Sequence, residues 1–276
     1  TMNIQTIKVT SEYIETLEEV KALIKKLEKY DILGCDFEAA TKYTDTQREI
    51  LKTAATSDKY GFFEHVAATA ALQATALDHP AHVKVTHFSV AWSTSESAVV
   101  ILSSDAVTEL VMDWLVSTNI KQVWHNASYD FRLIYYATGK VPKNYEDSQI
   151  FAKTVLNHVE NAKSGTGLKD LAGSVYGNWG LDDESMFSLE HMYDEKLLKY
   201  AGIDSCATLW VWGQLVKHYQ EPDAVYPDTT EDYTPWSQLP ATNPMEATYP
   251  EAHFYHYTAK WLIRDTVRIM MNGLPI

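Results

Sequence analysis

Cysteine is scarce: 276 residues include only Cys35 and Cys206. Both sit in apolar segments, which points to reduced, buried thiols in a cytoplasmic protein and not to a disulfide framework. Long apolar runs are missing too. None approaches the roughly 20 residues that span a bilayer, so no membrane is expected as a partner. Thr1-Met2-Asn3 lacks the basic and apolar regions of a secretory signal. Positive charge is in deficit, with 23 Lys and Arg against 37 Asp and Glu and a net charge of −14. That balance cuts against a general nucleic-acid binder, which carries a basic face. It leaves room for an enzyme that grips a few phosphates through bound metal ions. Several catalytic signatures are absent as well. There is no Gly-x-Ser-x-Gly elbow, and Gly165-Thr166-Gly167 has neither the length nor the lysine of a phosphate-binding loop. The ten histidines form no helical His-x-x-x-His pair.

The hydrophobic content of 46% and 12% aromatics supply ample core for one large domain or two modest ones. Within it, Leu33-Gly34-Cys35-Asp36-Phe37-Glu38-Ala39 reads as a short buried strand. Strand side chains alternate, so Asp36 and Glu38 share one face while Cys35 and Phe37 share the other. Two neighbouring carboxylates on a half-buried strand repel each other and lose hydration. They persist when a cation sits between them, and Mg²⁺ or Mn²⁺ suits carboxylate oxygens. An edge strand with both acids in water is the competing explanation.

Along the chain, Ile4 to Val9 alternates like a strand, and Ser11 could cap a helix running to about Tyr30. Residues 41–80 form an insertion of unknown role, with helical patterns over Gln47–Ala54 and Val66–Leu77. Val83–Trp92 and Ser97–Leu102 read as a hairpin whose first strand pairs with the acid strand. A helix from Asp105 to about Val116 and a strand over Lys121–His125 follow. Asn126 leads into a helix that Gly139 ends. Tyr145–Ser148 precedes a helix over Gln149–Asn157, Lys163–Gly167 is a loop, and Leu168–Tyr176 is a short helix. Asp194 caps a long helix reaching about Tyr219. Six of the nine prolines fall in 221–250, marking an extended linker over 221–253. A last amphipathic helix spans about Phe254 to Asn272. Strands first, then mixed helices and strands, describe an α/β sheet with helices on its faces.

Further acids stand where such folds gather ligands. Asp130 lies just inside a helix behind an apolar strand, where macrodipole pairing is its ordinary use. Asp204 sits within a largely apolar helical stretch, and Tyr200 shares its face one turn earlier. Gly202 weakens that helix by up to about 1 kcal/mol relative to Ala, and its bare Cα suggests close approach by the acid strand. His125 reads as a satisfied strand-end residue, and Asp147-Ser148 as a structural cap.

Together these form an ordered pattern: Asp-x-Glu on a strand, Asn-x-x-x-Asp at a strand–helix junction, Tyr-x-x-x-Asp on a late helix. The pattern resembles the DnaQ-like (DEDD) 3′–5′ exonucleases, and the tyrosine resembles the DEDDy subset. Val123–Asp130 is similar to the family's second motif, and Tyr200–Asp204 with Thr208-Leu209 to its third. The likeness covers about Ile4 to Tyr219. It implies a ribonuclease H-like mixed sheet, antiparallel in its first strands and then parallel, flanked by helices. It also implies an exonuclease domain over 1–220 and two Mg²⁺ (or Mn²⁺) ions. By the same resemblance Asp36 bridges both ions, Glu38 and Asp204 hold the water-activating one, and Asp130 holds the second. Tyr200 would orient the attacking water, its unperturbed pKa near 10 being too high for a base at neutral pH. Asn126, Phe37 and the backbone of Ala39 would meet the substrate, although Phe37 is packing by default. Ala39 departs from the threonine often found there, which implies altered contacts.

Within the family, the likeness is strongest to proofreading domains of family A DNA polymerases, particularly those of phages. Trp261–Ile276 resembles the entry into such a polymerase's next domain, so 254–276 would begin a truncated polymerase domain. This implies a single-stranded DNA 3′ end and the polymerase domain of a longer chain as partners, in a bacterial or phage-infected cytoplasm. Two other readings stand beside it: an RNase D-like 3′–5′ exoribonuclease, and a catalytically silent exonuclease fold used for binding. Residue types do not separate DNA from RNA, since that discrimination rests on contacts to the 2′-OH.

Overall fold

The computed structural model describes residues 6–43, 45–57, 61–74, 80–156, 165–181, 186–220, 255 and 259–272. The expected Pro-rich linker over 221–253 and the first residues of the expected strand at Ile4 lie outside the described residues. So do the start of the final helix and part of the loop before Gly167. No helix among the described residues is long and apolar enough to cross a membrane.

Among the described residues, a six-stranded mixed sheet organises the fold. Its strands are β1 (Thr10–Ile14), β2 (Ile32–Thr41), β3 (Val83–Ala91), β4 (Glu96–Ile101), β5 (Lys121–Trp124) and β6 (Tyr145–Asp147). They lie in the order β1-β4-β3-β2-β5-β6. Strands β2, β3 and β4 pair antiparallel, whereas β5 and β6 continue parallel to β2, and β1 runs parallel to β4. This is the ribonuclease H-like arrangement.

Helices cover both faces. On one lie α1 (Leu17–Leu27), α4 (Asp105–Ser117) and α5 (Ala127–Thr138). They enclose a core that includes Leu33, Cys35 and Phe37 of β2 and Phe88 and Val90 of β3. On the other lie α6 (Ser148–Leu156), α7 (Leu168–Tyr176) and the long α8 (Glu195–Gln220). Their core includes Ile32, Val123, Ala207 and Trp212. The alternation of β2 is thus divided between two cores, with apolar Cys35 and Phe37 on the first side and the acids on the side facing α8.

Two N-terminal expectations are corrected. The first strand among the described residues is Thr10–Ile14, and 6–9, the described part of the strand expected over Ile4–Val9, are not in it. Ile7 instead donates its N–H to Val175 O (2.9 Å) and packs against the second core with Val9. The alternation there reflects packing against α7. The helix begins at Leu17, capped by Thr16 and not by Ser11. Thr16 and Glu19 form a reciprocal capping box, while Ser11 lies in β1 and bonds Ser97 at 2.8 Å.

The insertion forms a helical pair, α2 (Asp45–Thr56) and α3 (Phe62–Ala74), between β2 and β3. Its two helices touch chiefly each other, and Phe62 and Phe63 are exposed. The final helix, α9 (Lys260–Asn272), docks on α5 and buries Ile263 and Val267 in the first core. Tyr255 is fully buried ahead of it and stacks on Phe151 (centroids 4.5 Å apart).

Candidate active site

The site begins with a glycine. A Cβ on Gly34 would run into the carbonyl oxygen of Ser205, so only glycine lets α8 lie this close to β2. The close approach sets Asp204, one residue before Ser205, against the two acids that β2 turns toward α8. Asp36, Glu38 and Asp204 each bring one carboxylate oxygen within 4.8 Å of the others. The role expected of Gly202 is corrected: its missing side chain accommodates Ser11 and Ser97 of β1 and β4, not the acid strand.

Asp130 approaches from the first turn of α5. It is 3% exposed and is supported by its own N–H and that of Phe37. The turn that carries it is built by Asp147, whose carboxylate accepts from the N–H groups of Asn126 (3.3 Å), Ala127 (2.7 Å), Gln149 (2.9 Å) and Ile150 (2.9 Å). One buried acid therefore caps both α5 and α6. Asn126 stands in the left-handed region (φ 71°, ψ 50°), leaves the capping to Asp147 and keeps its side chain exposed. His125 donates from Nε2 to the Thr166 carbonyl (2.9 Å), so its neutral ring accepts at Nδ1 from the Ser148 hydroxyl (2.8 Å). Burial lowers its pKa to about 4, in keeping with a neutral ring.

Electrostatically this is a strained nest. Burial, then Glu38, Asp204 and Asp130, pushes the Asp36 carboxyl well above its ordinary range. Glu38 is pushed well above by burial and then by Asp204, and Asp130 first of all by burial. Asp204 is raised too, by burial, against the opposing pull of Lys169, Trp179 and Tyr200. Glu38 Oε1 and Asp130 Oδ1 are buried without a hydrogen-bond partner among the described residues. Orphaned buried carboxylate oxygens are destabilising. Their number, hardness and spacing fit divalent cations such as Mg²⁺ or Mn²⁺.

Tyr200 lies on α8 one turn before Asp204 and donates to its carboxylate. Burial, followed by Asp204, Glu38 and Asp36, raises its pKa further, so the hydroxyl keeps its proton at neutral pH. Two neighbours are not signalled by the motif pattern. Lys169 Nζ bonds both oxygens of Asp204 (2.8 and 2.7 Å) and the Tyr200 hydroxyl (2.6 Å). Trp179 Nε1 donates to Asp204 Oδ1 at 2.5 Å. Lys169 carries one local signal: a cation in the first turn of α7 opposes the helix dipole and so implies a partner elsewhere. Trp179 carries none.

Phe37 is corrected as a substrate contact. Its ring is 4% exposed and packs against Phe88 (5.3 Å) and Trp124 (5.6 Å), on the far side of the sheet from the acids. Only its main chain reaches the site, at Asp130. Ala39 follows a β-bulge between Glu38 and Ala39, where the register against β3 slips. Thr86 secures that bulge by donating to Glu38 O at 3.1 Å.

A ribonuclease H-like sheet brings acids from its first long strand together with one from a late helix. Residues 87–220 match the family described as 3′–5′ exonuclease. The match takes in Asp130, Tyr200 and Asp204, and begins beyond Asp36 and Glu38. Among solved structures, the chain is similar to the Trypanosoma brucei RRP6 catalytic core (TM-score 0.52, 14% identity, 78% of this chain and 48% of that one). It is also similar to RNase D of the same organism (0.50, 15%, 76% and 66%). A third similar structure is Brucella melitensis NrnC bound to pGG (0.50, 13%, 77% and 81%). At these identities the likeness shows the fold. None of the three is a phage polymerase proofreading domain, the likeness expected from the motifs. No curated protein sequence matches the chain.

Proposed function

We propose that this protein is a divalent-metal-dependent 3′–5′ exonuclease acting on single-stranded 3′ ends, with RNA as its substrate. The observation that carries the nuclease reading is the convergence of Asp36, Glu38 and Asp204 around orphaned carboxylate oxygens, one helical turn from Tyr200. The RNA reading, the RNase D-like alternative, is supported by the similarity to RNase D and to NrnC bound to pGG.

In this reading Asp36, Glu38 and Asp204, with Asp130 beside them, would hold the divalent ions. Bound ions of this kind supply an activated water and neutralise charge on the attacking and leaving oxygens. The chain's own residues do the positioning. Asp147 holds the α5 turn so that Asp130 faces the sheet. Tyr200 stays protonated and orients the attacking water through its hydroxyl. Asn126, exposed at the strand end, and the main chain at Ala39 would meet the terminal nucleotide in this reading.

A second reading, proofreading of DNA for the polymerase part of a longer chain, rests on the motif sequences and on the likeness of Trp261–Ile276 to a polymerase entry segment. A silent binding fold is disfavoured by the retention of all four acids and the tyrosine. The test is digestion of 5′-labelled single-stranded RNA and DNA of one sequence with Mg²⁺, beside an EDTA control. Stepwise shortening of RNA from its 3′ end, abolished by EDTA, is the expected result. Shortening of DNA alone would favour proofreading, and no cleavage of either with Mg²⁺ or Mn²⁺ would leave the binding fold.

A further inference from the structure

Lys169 is placed against its local interest. It lies in the first turn of α7, where the helix dipole disfavours a cation, and its ammonium crosses to α8. There it commits all three N–H donors: two to the oxygens of Asp204 and one to the Tyr200 hydroxyl. Asp204 thus has both oxygens engaged, with Trp179 on Oδ1 as well. Nearby Glu38 Oε1 and Asp130 Oδ1 have no partner among the described residues. The ammonium of Lys169 is therefore concentrated on one of the four acids.

A divalent ion held by Asp36, Glu38 and Asp204 needs the lone pairs that Lys169 occupies. It would also bring two more positive charges next to an ammonium across a partly buried gap, where repulsion is screened less than in water. We propose that Lys169 and a divalent ion are alternative occupants of Asp204, so that Lys169 is a built-in counter-cation whose withdrawal accompanies ion binding. This inference rests on reading the carboxylate cluster as a metal centre.

The surroundings give the displaced group somewhere to go. The Lys169 side chain is 37% exposed, so its ammonium can reach water. It already lies 4.2 Å from the centroid of the Tyr200 ring and 5.3 Å from that of Trp179. Those faces can hold a cation that has left the carboxylate. A cleft lined by Trp179, Met186, Lys199 and Tyr200 opens beside them. Withdrawal therefore needs side-chain rotation and no movement of α7.

The test is calorimetric titration of Mn²⁺ into the whole chain, with melting in EDTA as a second readout. The variants are Lys169→Met and, as a control for simple loss of a positive charge, Lys199→Met. Lys169→Met is expected to bind Mn²⁺ more tightly, by on the order of tenfold, within the usual span of coupling between two ligands. It should also melt lower than wild type in EDTA, with the gap closing at saturating Mn²⁺. Lys199→Met should stay within about twofold of wild type, its charge being exposed and screened. Equal or weaker Mn²⁺ binding by Lys169→Met, beside normal binding by wild type, would overturn the inference and leave the metal centre standing. An equal shift in both lysine variants would overturn it too. If neither wild type nor Lys169→Met bound Mn²⁺, the metal centre itself would fall. Lys169→Gln repeats the measurement with a neutral polar chain should the methionine variant fail to fold.

Discussion

The buried carboxylate of Glu146 offers the sharpest test of how the last helix belongs to this fold. Glu146 is fully buried on β6 and accepts from Lys121 Nζ (2.8 Å), Lys260 Nζ (3.0 Å) and the Tyr255 hydroxyl (2.9 Å). Lys260 opens α9, and its carbonyl accepts from the Tyr145 hydroxyl at 2.9 Å. Tyr255 also accepts the main-chain N–H of Asp147 (2.8 Å), the residue that caps α5 and α6. Glu146→Ala removes the carboxylate and leaves two ammonium groups facing each other in a buried site. Losing one partner of a buried ion pair typically costs about 3–5 kcal/mol. At roughly 2–4 °C per kcal/mol for a chain of this size, the midpoint should fall by roughly 10 °C. Glu146→Gln, which keeps the shape and one acceptor, should fall by less. Calorimetry measures both, and limited proteolysis should show α9 cut sooner in Glu146→Ala. A fall under about 2 °C with unchanged proteolysis would refute the idea that Glu146 latches the C-terminal helix to the sheet.

Four further outcomes are expected. Asp36→Asn with Glu38→Gln should abolish cleavage yet melt higher than wild type in EDTA. The raised carboxyls make the native state hold more protons than the unfolded one above their ordinary range, so wild-type stability falls as pH rises and the gap should widen; a double variant that melts far lower would mark these acids as structural. Because ions compete with the same protons, Mg²⁺ affinity should rise between pH 5.5 and about 8; titrations showing flat affinity would contradict proton release from the nest. Tyr200→Phe should barely alter melting and slow single-turnover cleavage by on the order of 10–100-fold, as expected for lost positioning; equal rates would reduce Tyr200 to packing. Gly34→Ala drives a Cβ into the Ser205 carbonyl and should both destabilise the fold and weaken Mn²⁺ binding; a variant with wild-type melting would show that α8 can shift freely.

Local pattern makes several elements legible. The helix expected over Leu168–Tyr176 has those bounds, and the one ended by Gly139 stops there with that glycine in the left-handed region (φ 68°). These boundaries follow from caps, glycines and apolar spacing, which act within a few residues. The first strand and first cap differ from expectation because Ile4–Val9 alternates as a strand does, while the Thr16–Glu19 capping box is the stronger signal.

The sequence by itself determined which side chains share a face. A period of two puts Asp36 and Glu38 together and opposite Cys35 and Phe37, and a helical turn puts Tyr200 beside Asp204. Only the tertiary structure decided what meets those faces. Gly34 admits α8 so that Asp204 joins the strand acids, Asp147 ties Asp130's turn to β6, and Glu146 gathers Lys121, Tyr255 and Lys260 from distant segments. Lys169 ends on Asp204 for the same reason. Such contacts join residues far apart in the chain, and their energies depend on close approach and exclusion of water. Neither is written in any local period.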